Sequence, residues 1–179
     1  FLLVGVQMGV ASAYTMVYLA GPLRAPGVLL GIAEAIPIPL QIVVFLVATR
    51  VVAWLTLPVA MHTCALAAAV RFAAFSLIED PWLVAMFEMT WGWTFPVYFT
   101  VSVQLAEEFA PHGLQASAIS LNHTSRQLGT TLTLFSSFAP LRLLGYARTY
   151  AAFAALFAVA ATPLACTLCI WRANHRRTD

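Results

Sequence analysis

Apolar residues run along this chain in long blocks, and the few breaks between them organise it. A helix that crosses a bilayer takes about 20 mostly apolar residues, and six blocks reach that length. The first runs from Phe1 to Ala20 and ends at Gly21-Pro22. The second, about 28–48, follows Arg24-Ala25-Pro26-Gly27. The third covers about 54–78, and the fourth, after Glu79-Asp80-Pro81, about 82–105. The fifth follows Pro111-His112-Gly113 and covers about 114–139, and the sixth covers about 146–171. The blocks are too long and too continuous for the short alternating strands of a membrane barrel. In lipid the backbone must bond within itself, so helices are predicted. Pro37, Pro39, Pro96 and Pro163 fall inside blocks, where neighbouring helices can re-satisfy the freed groups. The expected fold is an all-α six-helix membrane bundle over 1–171, with an Arg-rich tail over 172–179.

Composition sharpens this. Of 179 residues, 61% are hydrophobic and only 9% charged, against about 25% charged in soluble domains. A soluble fold of this size cannot bury so much apolar surface, and disorder needs the opposite balance. Net charge is +2 and every basic residue is Arg. Only Arg172, Arg176 and Arg177 cluster, so nucleic acid is not an expected partner. Cys166-x-x-Cys169 sits in an apolar run with no second ligand pair, and reads as packing rather than a redox or metal pair. Ala11-Ser12-Ala13 resembles a signal-cleavage site. The apolar run continues past it without a charged leader, so it reads as part of a spanning helix. The chain starts without Met, and is expected to be a fragment. Six spans place both ends on one side. Arg favours cytoplasmic segments, so the C-terminal tail and a loop with Arg50 are expected inside, and loops with Arg24, Arg142 and Arg148 outside.

Four charges lie deep within the blocks, away from their ends: Glu34, Arg71, Glu88 and Arg126. Ionisable groups in a membrane cost about 2.5–3.5 kcal/mol on insertion scales and mark function by default. Arg71 precedes Glu79 by eight residues and Glu88 follows Asp80 by eight. Both then lie about 12 Å from one surface, and Glu34 about 10 Å from it. Arg71 and Glu88 are expected to pair. Such a pair can be structural. It can also be a proton site, since burial favours the neutral acid, a neighbouring Arg favours the carboxylate, and movement of the Arg switches between them. Arg126 falls near the midplane. Asn122, Arg126, Thr130, Thr133 and Ser137 share one helical face, with His123 and Gln127 beside it. That stripe is either helix–helix glue or the wall of an aqueous cavity. Gln7, Tyr14 and Tyr18 share a face of the first helix and read as packing. Trp91 lies one turn beyond Glu88, where an indole face could stack on a sugar-like or cationic solute. No His and carboxylate have metal-ligand spacing, and no nucleotide or cofactor fingerprint is present. Ser120 and His123 are the nearest approach to a nucleophile and base.

These features together resemble the C-terminal half of a major facilitator superfamily transporter, of the lactose-permease-like and associated-domain branch. The residues that carry the resemblance are Gly31-Ile-Ala-Glu34-Ala-Ile-Pro37, Arg71, Asp80-Pro81-Trp82-Leu83-Val84 with Glu88, and Pro111-x-Gly113-Leu114-x-Ala116-x-Ala118 with His123 and Gly129. The resemblance implies helices seven to twelve of a twelve-helix protein with a central cavity and alternating access. It implies solute contact at Glu34 and proton translocation at Glu88 beside Arg71. The chain departs from that pattern at Ala85, where the permease has His. It lacks the Gly-x-x-x-Asp-Arg loop, and has Ser136-Ser137 in place of Gly-Gly.

The expected function is secondary active transport of a small polar solute, with sugar-like solutes and proton symport both open. Glu34, Asn122, His123, Arg126 and Trp91 are the expected solute contacts, and Glu88 and Arg71 the proton-coupling pair. No catalytic residue, metal or cofactor is expected. The expected partners are the bilayer, the solute, protons and an N-terminal six-helix half. The alternatives are a receptor or scaffold that keeps the fold without transport, and an intramembrane enzyme.

Overall fold

The computed structural model describes residues 2–175, with side chains over 2–162 apart from Ser12 and Ala13. The side chains of Cys166, Cys169 and Arg172, and residues 176–179 of the expected tail, lie outside the described residues. The helices are α1 (Leu2–Ala20), α2 (Gly27–Ala35), α3 (Pro37–Leu55), α4 (Leu57–Leu77), α5 (Pro81–Phe87), α6 (Met89–Phe109), α7 (Gln115–Ser136) and α8 (Phe138–His175), with no strand among the described residues.

These segments compose six rods, because three of the boundaries are bends rather than turns. Ile36, Glu88 and Ser137 keep right-handed helical dihedrals between α2 and α3, α5 and α6, and α7 and α8. Two of the bends have a proline cause. Pro37 has no N–H for the Ala33 carbonyl, and Pro140 none for the Ser136 carbonyl. At Glu88 the helix tightens instead. Its amide bonds the Ala85 carbonyl at 3.1 Å, and the Trp91 amide bonds the Glu88 carbonyl at 2.9 Å. The helix is interrupted within α8, where Gly145 takes φ 78 and ψ 171. The rods are therefore 2–20, 27–55, 57–77, 81–109, 115–144 and 146–175.

Two expected loops are corrected. The loop with Arg50 is absent, since no breaker stands between Ala48 and Leu55 and α3 runs through. The turn falls at Thr56, with φ 68, just before Pro58 in the first turn of α4. Arg142 and Arg148 lie in helix on either side of Gly145 rather than in loops. Arg24 is in a true connection, with φ 49. At the next connection the Asp80 carboxylate accepts the Trp82 amide at 2.9 Å and caps α5, with Pro81 in the first turn.

Four helices among the described residues are long and apolar enough to cross a membrane: Leu2–Ala20, Gly27–Leu55, Leu57–Leu77 and Phe138–Thr162. The rods 81–109 and 115–144 fall outside that set. The physical reason is their polar and charged content, Glu88, Glu107 and Glu108 on one and the Asn122-to-Thr133 stripe on the other. Large apolar side chains face outward on every side, among them Leu46, Trp54, Leu77, Phe135 and Leu143, each about four-fifths exposed. Lipid is the solvent that suits such a surface.

The main rod pairings are first with fifth (α1 on α7), second with fourth (α3 on α6) and third with sixth (α4 on α8). Exchanging rods one to three for rods four to six leaves this set unchanged, as in a bundle built from two three-helix repeats. Phe72 centres the core of the third and sixth rods, 6.1 Å from Tyr150 in a stacked arrangement and 5.6 Å from Phe157. The first and fifth rods meet through glycine. A Cβ on Gly5 would stand 2.0 Å from the Arg126 carbonyl oxygen, and one on Gly129 2.2 Å from that of Leu2. Gly5-x-x-x-Gly9 is thus a close-approach motif of the kind that lets membrane helices touch backbone to backbone. Thr130 ties the crossing by donating to the Gly5 carbonyl at 3.1 Å.

Candidate functional site

The bends and the glycine crossing leave a cleft of about 290 Å³ between α1, the α2–α3 bend, α4, the α5–α6 bend and α7. Glu34, Arg71, Glu88, Trp91 and Arg126 all line it. Four charges, from four different rods, therefore border one space.

Arg71 and Glu88 are drawn together first. Arg71 is 1% exposed and Glu88 6%, and an Arg71 Nη2 hydrogen bond to Glu88 Oε2 closes the ion pair. The guanidinium carbon lies 5.4 Å from the ring centre of Phe75 and 5.6 Å from that of Trp91. These π faces favour a desolvated cation. The pair does not satisfy itself. Arg71 Nε and Nη1 and Glu88 Oε1 are buried with no hydrogen-bond partner among the described residues. A buried polar atom left so costs about 1–3 kcal/mol. The Trp91 ring carries Arg71 and lies 5.7 Å from the Phe95 ring, so its expected role as a stacking surface is shared with the guanidinium.

Glu34 stands on the last turn of α2, exposed to the cleft, and no ion pair engages it among the described residues. Arg126 projects from α7. Its Nη2 meets His123 Nδ1 at 3.2 Å, and its Nη1 donates to Met8 Sδ at 3.0 Å. A thioether is a weak acceptor, so this guanidinium keeps most of its donor capacity.

Two expected solute contacts are placed elsewhere. Asn122 is turned toward α6 and donates to the Ser102 carbonyl at 3.4 Å. His123 meets Arg126 and stands edge-on to Phe99 at 6.2 Å. Neither lines the cleft, where α7 instead contributes Gln127 and Thr130 beside Arg126. The polar stripe is wide, and the rod's rotation against α1 selects which edge of it faces inward. Met8, Ala33 and Pro37 also line the cleft. They carry no polar side chain, so polarity alone could not select them. The signal for the crossing beneath them is Gly5-x-x-x-Gly9, which sequence reasoning passed over.

The remaining polar positions pack. Tyr14 donates to the Leu134 carbonyl at 2.8 Å, and Tyr18 stacks on Tyr146 at 5.3 Å. Gln7 is buried and faces a separate, mostly apolar pocket with Met61, Cys64 and Phe157. No hydrogen bond joins His123 to Ser120 among the described residues, where His123 is engaged by Arg126. No three His, Cys, Asp or Glu side chains group together among the described residues.

Residues 1–137 match the family model described as the MFS_1 like family. The matched stretch contains every residue that lines the cleft. No curated protein and no solved structure matches the chain.

Proposed function

The chain belongs to the MFS_1 like family, a group of transporter-type membrane proteins, and from that premise we propose that it carries a small polar solute by secondary active transport. The six rods are read as one half of a twelve-helix bundle, with the cleft forming part of the central solute site. The observation that carries this reading is that Glu34, Arg71, Glu88 and Arg126 border one cleft. A bundle held together by closed ion pairs would not leave one carboxylate and one guanidinium open to the same space.

Glu34 and Arg126 hold the solute. Glu88 is the proton-coupling group and Arg71 its partner. With the carboxylate ionised, Arg71 is held. When Glu88 takes a proton the pair loses its Coulomb attraction, and Arg71 can turn its free N–H groups toward the cleft. The unpartnered Arg71 Nε and Nη1 favour this over a scaffold role, because a static support gains nothing from buried atoms without partners.

Uptake of labelled small polar solutes into proteoliposomes with an imposed pH gradient tests the proposal. Glu88→Gln is expected to abolish pH-driven uptake and to leave solute exchange largely intact. Unchanged pH-driven uptake would remove Glu88 from the coupling role. The absence of uptake and exchange of every solute tried, in wild-type protein, would overturn transport itself.

A further inference from the structure

The cleft carries one carboxylate and one guanidinium with no ion-pair partner among the described residues, and they stand on different walls. On the α2–α3 side stands the Glu34 carboxylate, an acceptor with no ion-pair partner among the described residues. Ala33 and Pro37 share that wall. On the α7 side stands the Arg126 guanidinium, which meets a thioether and a ring nitrogen. Arg71 also lines the cleft, paired with Glu88, with Nε and Nη1 buried and without a partner among the described residues. Gln127 and Thr130 share the α7 wall and add groups that both donate and accept.

A neutral polyol does not need that separation. A polyol lying between Glu34 and Arg126 would leave both formal charges without a counter-charge as water is excluded. A solute with a cationic group at one end and an anionic group at the other cancels both. Its carboxylate or similar anion would take a forked pair of N–H bonds from Arg126. Its ammonium would donate to Glu34.

We propose that the solute of this cleft is a small zwitterion of amino-acid type, with its cationic end at Glu34 and its anionic end at Arg126. This rests on the transport reading for its biological meaning, but it concerns binding and is tested by binding.

The experiment is thermal unfolding of the purified protein, followed by tryptophan fluorescence, with one probe at a time at equal concentration. The probes are glycine, β-alanine, γ-aminobutyrate, butyrate, butylammonium and lactose. The expected result is that at least one zwitterion raises the unfolding midpoint by about 2 °C or more, as a ligand specific to the folded state does. That shift is lost in Glu34→Gln and in Arg126→Gln. The smaller shift from butyrate is lost only in Arg126→Gln, and that from butylammonium only in Glu34→Gln. Glu34 is exposed on its helix, so Glu34→Gln retains the fold and decides the matter even where Arg126→Gln does not accumulate. No shift with any zwitterion overturns the proposal, as does a zwitterion shift that survives Glu34→Gln. A shift with lactose alone, lost in Glu34→Gln, also overturns it while leaving the transport reading in place. Zwitterion binding without uptake in proteoliposomes would do the reverse.

Discussion

Separating Arg71 from Glu88 should cost more than removing both. Arg71 is 1% exposed and Glu88 6%, so neither charge has bulk water to fall back on. Taking away one partner of a buried ion pair costs about 3–5 kcal/mol, because the other charge is stranded. Arg71→Met strands Glu88 and also vacates two aromatic faces, each worth about 0.5–2 kcal/mol to the guanidinium, so a loss near 4–5 kcal/mol is expected. Glu88→Gln leaves an amide oxygen that still accepts from Arg71. Its cost should therefore be lower, about 2–3 kcal/mol. With both substitutions no charge is stranded, and the double variant should lose only about 3–4 kcal/mol rather than the sum of the two. The coupling energy is then about 3 kcal/mol. Unfolding in mixed detergent micelles, followed by the fluorescence of the five tryptophans, yields all four corners of the cycle. A coupling within about 0.5 kcal/mol of zero, the level of independent sites, would mean that the two residues do not stabilise one another.

Other outcomes follow from the packing. A Cβ on Gly129 would stand 2.2 Å from the Leu2 carbonyl oxygen, so Gly129→Val must push α1 off α7. At about 1–3 kcal/mol for overpacking, the unfolding midpoint should fall by roughly 3–10 °C, and a midpoint unchanged within about 1 °C would refute the close crossing. Gly92→Val is expected to act likewise between α3 and α6, where a Cβ would stand 2.8 Å from both Leu40 Cβ and the Pro37 carbonyl oxygen. The same thermal scan reads it. Pro37→Ala restores an N–H for the Ala33 carbonyl, so the midpoint should hold or rise. Proteoliposome uptake should slow in that variant as the second rod stiffens, and uptake at the wild-type rate would show that the bend is dispensable.

Much of this architecture was legible because lipid simplifies the code. The length of each apolar block and the glycine and proline breaks between them placed the rods, and counting residues from Glu79-Asp80 put Arg71 and Glu88 at one height. What counting could not supply was rotation. Asn122 and Arg126 are four residues apart and share a face in sequence, yet Asn122 bonds α6 and Arg126 reaches the cleft. Which of them turns inward is fixed by the Gly5–Gly129 contact, a long-range constraint that no local pattern in α7 encodes. Arg50 misled for a different reason. A charge was read as a loop, whereas an exposed Arg on a helix can extend its long side chain toward the membrane surface. Gln127 carries no formal charge and drew little notice, although it lines the cleft beside Arg126.

The positions of the three bends have a mechanical consequence. Ile36 is nine residues from the first residue of its rod, Glu88 seven from the start of its own, and Ser137 eight before Gly145. At 1.5 Å per residue all three lie about 10–14 Å below the same face of the bundle. A helix is stiff because flexing it stretches its ladder of hydrogen bonds, and at these points rungs are already missing or shortened. Half of the rods thus share one crease, parallel to the membrane and level with the buried pair. Force applied to the cap above it is taken up there, while the glycine-locked crossing below stays rigid.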